Sequence, residues 1–183
     1  GYDLYIEMLH EAISEISGQE IPEVNDTQID LPINAFIPAT WILNREEKLE
    51  AYKSATECSN NDELTELATD WVNRYGNLPK PVESLIMIMR LKLLAKKCGF
   101  NKIKLKKPNI LIETKLKKST FKILKNSLPS SVQNKFNFDE GEKFSIITIR
   151  GLGVTEIQNQ IDQLMNCFES FIKEINNFDN DFE

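Results

Sequence analysis

Arg90-Leu91-Lys92-Leu93-Leu94-Ala95-Lys96-Lys97-Cys98-Gly99-Phe100-Asn101-Lys102-Ile103-Lys104-Leu105-Lys106 is the stretch across which this sequence changes its period. Up to Lys97 the apolar residues follow a helical repeat, and from Lys102 apolar and polar residues alternate strictly, as in a strand with one wet face. Gly99 stands just past the end of the helical pattern, where a glycine commonly closes a helix. Helices are therefore expected on the N-terminal side and a sheet on the C-terminal side.

Toward the N-terminus, Leu78-Pro79-Lys80-Pro81 reads as a rigid turn, and Pro81 suits the first residue of a helix because its missing N–H costs nothing there. That helix should run to about Lys97 with Val82, Leu85, Ile86, Met89, Leu93 and Leu94 inward. Asn60 with Glu63 and Asn44 with Glu47 are capping-box-like pairs that open two earlier helices. The later one carries Leu64, Leu67, Ala68, Trp71, Val72 and Tyr75 on one stripe and stops at Gly76; the earlier one presents Leu49, Tyr52 and Ala55. Residues 28–38 hold Pro32 and Pro38 and read as an edge strand or extended wrap, since each proline removes a ladder donor. Residues 19–27 read as a linker, and residues 2–17 as an amphipathic helix ended by Gly18.

Toward the C-terminus, Lys102–Lys106 and Asn109–Glu113 form an expected hairpin with Lys107-Pro108 in its turn. Ser119–Asn126 suits a short helix, Phe144–Ile149 a strand, and Gly151 and Gly153 punctuate. Val154, Ile157, Ile161, Leu164, Met165, Phe168 and Ile172 mark a long final helix, with a tail from Asn176 that should fray. The whole is an α+β chain: a helical N-terminal half packed with a small, mostly antiparallel β-sheet and a long C-terminal helix.

Of the 183 residues 41% are apolar and 27% charged, enough for one good core. The chain opens on Gly1 with no processing signal and is expected to be a piece of a longer protein. Its longest apolar run, Leu85–Met89, is far too short to span a bilayer. The net charge of −6 hides opposite blocks: residues 1–89 carry 5 Lys/Arg and 17 Asp/Glu, residues 90–125 carry 13 and 1, and residues 126–183 carry 4 and 10. Cys58, Cys98 and Cys167 are scattered and have only His10 as a possible nitrogen partner, so reduced structural thiols are expected, with no metal and no cofactor.

Catalytic signatures are missing. The sequence has no G-x-x-x-x-G-K-[ST] phosphate loop, and Gly151-Leu152-Gly153 lacks the third glycine of a dinucleotide fingerprint. His10 has no companion nucleophile. Neighbouring acids such as Glu46 with Glu47 diverge on a helix surface and cannot act as an acid and base pair.

Several short motifs nonetheless occur in an order that resembles one family. Gly1-Tyr2-Asp3-Leu4-Tyr5 before an acidic helix resembles the end of the translocation motif in transcription-repair coupling factors and the related RecG helicases. Ile29-Asp30-Leu31-Pro32, Phe36-Ile37-Pro38, and Arg45 with Leu49 and Tyr52-Lys53 resemble the coupling factors specifically. So do Arg74-Tyr75-Gly76-Asn77-Leu78-Pro79 and Arg90–Ala95 with Gly99. Ala39-Thr40 and Ser54 depart from the family pattern, and beyond Ile103 the likeness is one of element order alone. The resemblance implies residues 1–18 as the end of a translocase module, 19–27 as a linker and 28–183 as a C-terminal regulatory domain. It also implies a cytoplasmic bacterial parent, an ATP-driven DNA translocase that displaces stalled RNA polymerase and recruits UvrA for excision repair. In such a parent this domain is not the motor: it masks the N-terminal UvrA-binding region and restrains the translocase.

Two surfaces are candidates for contact. Asp62, Glu66, Asp70 and Asn73, with Arg74 beside them, form a polar row opposite the Leu64–Trp71 stripe, suited to exchangeable contact with a basic docking partner. The alternative is an auxiliary nucleic-acid site in the Lys-rich segment 90–125, with Lys102, Lys104, Lys106 and Lys107 on phosphates. Against that alternative, alternate lysines on a strand are also what a solvated sheet face shows.

Overall fold

A computed structural model describes residues 1–2, 4–6 and 20–180. A helical turn at Tyr2 and Leu4–Ile6 is described, but the rest of the helix expected over 2–17, with His10 and Gly18, lies outside the described residues. The chain is α+β and forms two compact units: Leu31–Leu93, and Gly1–Asp30 with Leu94–Glu183.

The first unit holds α1 (Arg45–Glu57), α2 (Asn61–Tyr75) and most of α3 (Lys80–Lys97), inside which the division between the units falls. Both expected caps are present: the Asn44 and Asn60 side chains accept from the Glu47 and Glu63 N–H groups at 3.0 and 2.9 Å. Glu63 reaches back one residue further than a standard box, to the N–H of Ser59 at 2.8 Å. The core gathers Ile37, Ile42, Ala51, Ala55, Trp71, Val82, Leu85 and Ile86. The Pro-containing segment before α1 is pinned to it, because Ile37 is buried and its N–H donates to the Tyr52 hydroxyl at 2.7 Å.

Burial corrects three stripe assignments. Leu49 is exposed, and α1 packs through Ala51 and Ala55, whose small side chains let the helix approach closely. Val72 is 37% exposed, because at 100° per residue it stands about 90° from the Leu64–Trp71 axis. On α3, Leu91 and Ala95 are buried where Leu93 and Leu94 were expected, these two being half-buried. That helix is apolar nearly all round near its end, so its pattern does not single out one inward face.

The second unit is built on a five-stranded sheet of order β1-β2-β3-β5-β4. Its strands are β1 (Gln28–Asp30), β2 (Phe100–Lys106), β3 (Asn109–Thr114), β4 (Phe136–Asp139) and β5 (Ser145–Ile149). β1 runs parallel to β2 and every other pair is antiparallel. β1 is an edge strand, as its neighbouring proline requires, and a cis Lys107-Pro108 peptide sits in the β2–β3 turn. Residues 20–27 have no helix or strand but are held down: Val24 and Thr27 are buried, and the Thr27 hydroxyl donates to the Phe100 carbonyl at 2.7 Å.

The helices of this unit are α4 (Lys118–Lys125), the single turn α5 (Ser130–Gln133) and α6 (Ile157–Asn180). Phe171 of α6 is the hub of their packing, with ring centroids 6.2 Å from Phe100, 6.1 Å from Phe121 and 6.2 Å from Phe136. Such edge-to-face pairs add about 0.5–1.5 kcal/mol each beyond burial. Val154 belongs to a 3-10 turn (Leu152–Val154) and is exposed, so it does not begin the last helix. The tail is ordered further than expected: α6 continues to Asn180 and buries Phe178. β4 was not foreseen.

Candidate functional site: an acidic groove on the helical unit

All five residues of the expected docking row are exposed on α2. Asp70 and Arg74 form an i,i+4 ion pair at 3.6 Å with both side chains 55% exposed. The Arg74 guanidinium also lies 5.1 Å over the Tyr75 ring. An exposed pair of this kind is worth at most about 1 kcal/mol, so a competing cation can replace Arg74 on Asp70.

The structure extends the row in a direction the α2 pattern does not show. Asp70 and Arg74 line a cavity of about 490 Å³ between α1 and α2, floored by Ala51, Leu67 and Trp71. Its other wall is Glu46, Glu47 and Glu50 of α1. Four carboxylates thus surround one guanidinium, a formal excess of three negative charges. Asp62, Glu66 and Asn73 do not line this cavity and continue the polar row along α2 outside it. The α1 acids were recoverable from sequence by the same logic as the row, since Glu46 and Glu47 lie four and three residues before Glu50.

Tyr75 ties the two helices, its hydroxyl donating to the Glu47 carboxylate at 3.3 Å. Partial burial raises its phenol above the usual value, Arg74 opposes that, and Glu47 adds to it through charge and hydrogen bond. The Tyr75 hydroxyl is a donor and carboxylates are acceptors, and an acidic groove of this kind suits Arg or Lys side chains on a partner.

The expected nucleic-acid residues fall in the other unit. Lys102, Lys104 and Lys106 share the less buried face of β2, and Lys107 occupies the turn. Acids are interleaved with them: Glu113 stands opposite Lys102, Asp30 opposite Lys104, and Lys104 pairs with Glu113 at 3.7 Å. Among the described residues no three His, Cys, Asp or Glu side chains are grouped to hold a metal ion, and no helix is long and apolar enough to cross a membrane.

The fold defines a class. A crystal structure of the C-terminal domain of a transcription-repair coupling factor superposes with a TM-score of 0.65 at 19% identity, covering 83% of this chain and 95% of that one. The TRCF domain family model matches residues 31–123, and the chain belongs to that family. The transcription-repair-coupling factor of Bacillus subtilis is 37% identical over 97 residues, 52% of this chain and 8% of that protein. That of Staphylococcus epidermidis is 32% identical over 114 residues, 61% of this chain and 10% of that protein. The matched region thus spans a tenth or less of these relatives.

Proposed function

We propose that the chain is a non-catalytic regulatory module of a transcription-repair coupling factor, with residues 28–183 as the module and residues 1–18 as the end of the translocase that precedes it. In the parent protein it docks on the N-terminal UvrA-binding region and masks it, so that UvrA is recruited only when the module is displaced. RNA polymerase and DNA are partners through the parent. The observation that carries the reading is the acidic groove between α1 and α2, continued by Glu66 and Asp62, on a chain of the TRCF family. A latch that must open requires a surface of finite strength, and exposed exchangeable ion pairs supply one. The Lys102–Lys106 row supports nucleic-acid binding less well, because Asp30 and Glu113 neutralise part of it.

The test is a titration of this chain against the N-terminal UvrA-binding region of its own parent. Saturable binding that weakens with added salt is expected; absence of binding at low ionic strength would remove the masking function. ATP hydrolysis by the chain alone should stay at background, since it has no phosphate loop.

A further inference from the structure

In the sheet unit, β4 is an edge strand with no neighbour on its far side among the described residues. Its register with β5, and the Arg150 N–H bond to the Lys135 carbonyl, put Lys135, Asn137 and Asp139 at the positions that bond to β5. The backbone groups of Phe136 and Phe138 therefore point outward. The opposite edge, β1, is three residues long and runs into Pro32, a usual defence against further pairing. β4 has neither proline nor bulge.

Along this edge lies a cleft of about 370 Å³ between α4 and β4, walled by Lys118, Lys122 and Lys125. Phe121 forms its floor, 5.8 and 5.7 Å from the rings of Phe136 and Phe138. The three lysines stand at i, i+4 and i+7, one stripe of the helix. Residues 114–138 contain six Lys and no Asp or Glu, and none of the three lysines makes an ion pair among the described residues. Asn137 and Asp139 complete the lining, so three lysines face one carboxylate and the cleft keeps a formal excess of two positive charges.

We propose that this cleft binds an extended acidic segment of a partner protein, which adds to the sheet as a sixth strand beside β4. The free N–H and C=O groups of Phe136 and Phe138 bond its main chain, and its alternate carboxylates meet the lysine stripe. The spacings agree: Lys118 and Lys122 are about 6 Å apart along the helix axis, and alternate strand residues about 6.8 Å. Nucleic acid fits less well. Phosphates have no donor for the outward carbonyls, and of the three rings Phe121 and Phe136 are 3% and 5% exposed, leaving bases only the half-buried Phe138 to stack on. This site shares no residue with the α1–α2 groove, so it stands or falls apart from the masking function.

The experiment is fluorescence anisotropy of the whole chain with a labelled, acetylated peptide that alternates glutamate and valine. Saturable binding is expected, weakened about tenfold or more by Lys118→Glu with Lys122→Glu and Lys125→Glu. The same peptide N-methylated at alternate residues, with its charge unchanged, should also bind about tenfold more weakly. Equal binding of the methylated peptide would overturn strand addition and leave a mere polyanion patch. Tighter binding of a single-stranded DNA oligonucleotide, or no peptide binding at millimolar concentration, would overturn the proposal too. Should the triple variant melt early, the methylated peptide decides alone.

Discussion

Trp71 and Asp70 are adjacent in sequence and opposite in consequence. Trp71 is 1% exposed and meets Trp41 edge-on at 6.2 Å between ring centroids. Trp71→Ala should cost about 3–5 kcal/mol, the loss of burial plus the cavity left behind, read as a fall in the urea midpoint. Asp70→Ala should change the same midpoint hardly at all, since its one ion pair is exposed. The thiols give a pH-dependent counterpart. Burial pushes the Cys98 thiol up, and burial, opposed by Lys135, pushes that of Cys167 up to about 11 from 9.0. A raised folded value means that stability is complete below about pH 9 and falls as the unfolded chain ionises first. The loss is about 1.4 kcal/mol per pH unit per thiol at most, and for Cys167 it levels off near pH 11. Urea midpoints measured from neutral pH upward should bend downward above pH 9, and the bend should be shallower in Cys167→Ala.

At the scale of elements, what the sequence announces locally is what it announces well. The asparagine caps of α1 and α2 are set by residues three apart, and Asn60→Ala should cost about 1 kcal/mol by leaving an N–H of α2 without its acceptor. A helix melt that ignores this substitution would show that Glu63 and Ser59 hold the turn unaided. The β2–β3 hairpin was equally legible, because strict alternation and a two-residue turn are short-range signals. β4 was not: four residues in Phe-Asn-Phe-Asp alternation are too few to separate from a loop, and the strand exists through β5, which comes later in the chain. On the inward face of α1, Ala55 and Tyr52 are where the pattern puts them, but Ala51 packs closely in place of the larger Leu49, a choice made by neighbouring elements rather than by period. The candidate site divides the same way. Its α2 half follows from one helix read alone, whereas the α1 wall of Glu46, Glu47 and Glu50 becomes part of it only when the two helices pack.

Under the proposed masking function, the decisive quantity for the whole molecule is the equilibrium between a masked and an open parent. If the acidic surface meets a basic one across the interface, reversing its charge puts like charges in contact and weakens the masked state without touching the core. Glu66→Lys with Asp70→Lys should therefore raise the affinity of the intact parent for UvrA by about fivefold to a hundredfold, the usual range of coupling between two sites. Glu46→Lys with Glu50→Lys tests the other wall of the groove and should act in the same direction, because those carboxylates line the cavity shared with Asp70. Deleting the module should do at least as much as either pair. The measurement is UvrA binding to the three altered parent proteins and the unmodified one at a single ionic strength, with melting curves to show that each substituted module is folded. If deletion unmasks UvrA while only the α1 pair responds, the contact is centred on the groove and not on the α2 row. If deletion unmasks UvrA and neither pair responds, the latch is real and lies on another face. If deletion itself leaves binding unchanged, the module does not mask UvrA and its regulatory role must be sought on the translocase side.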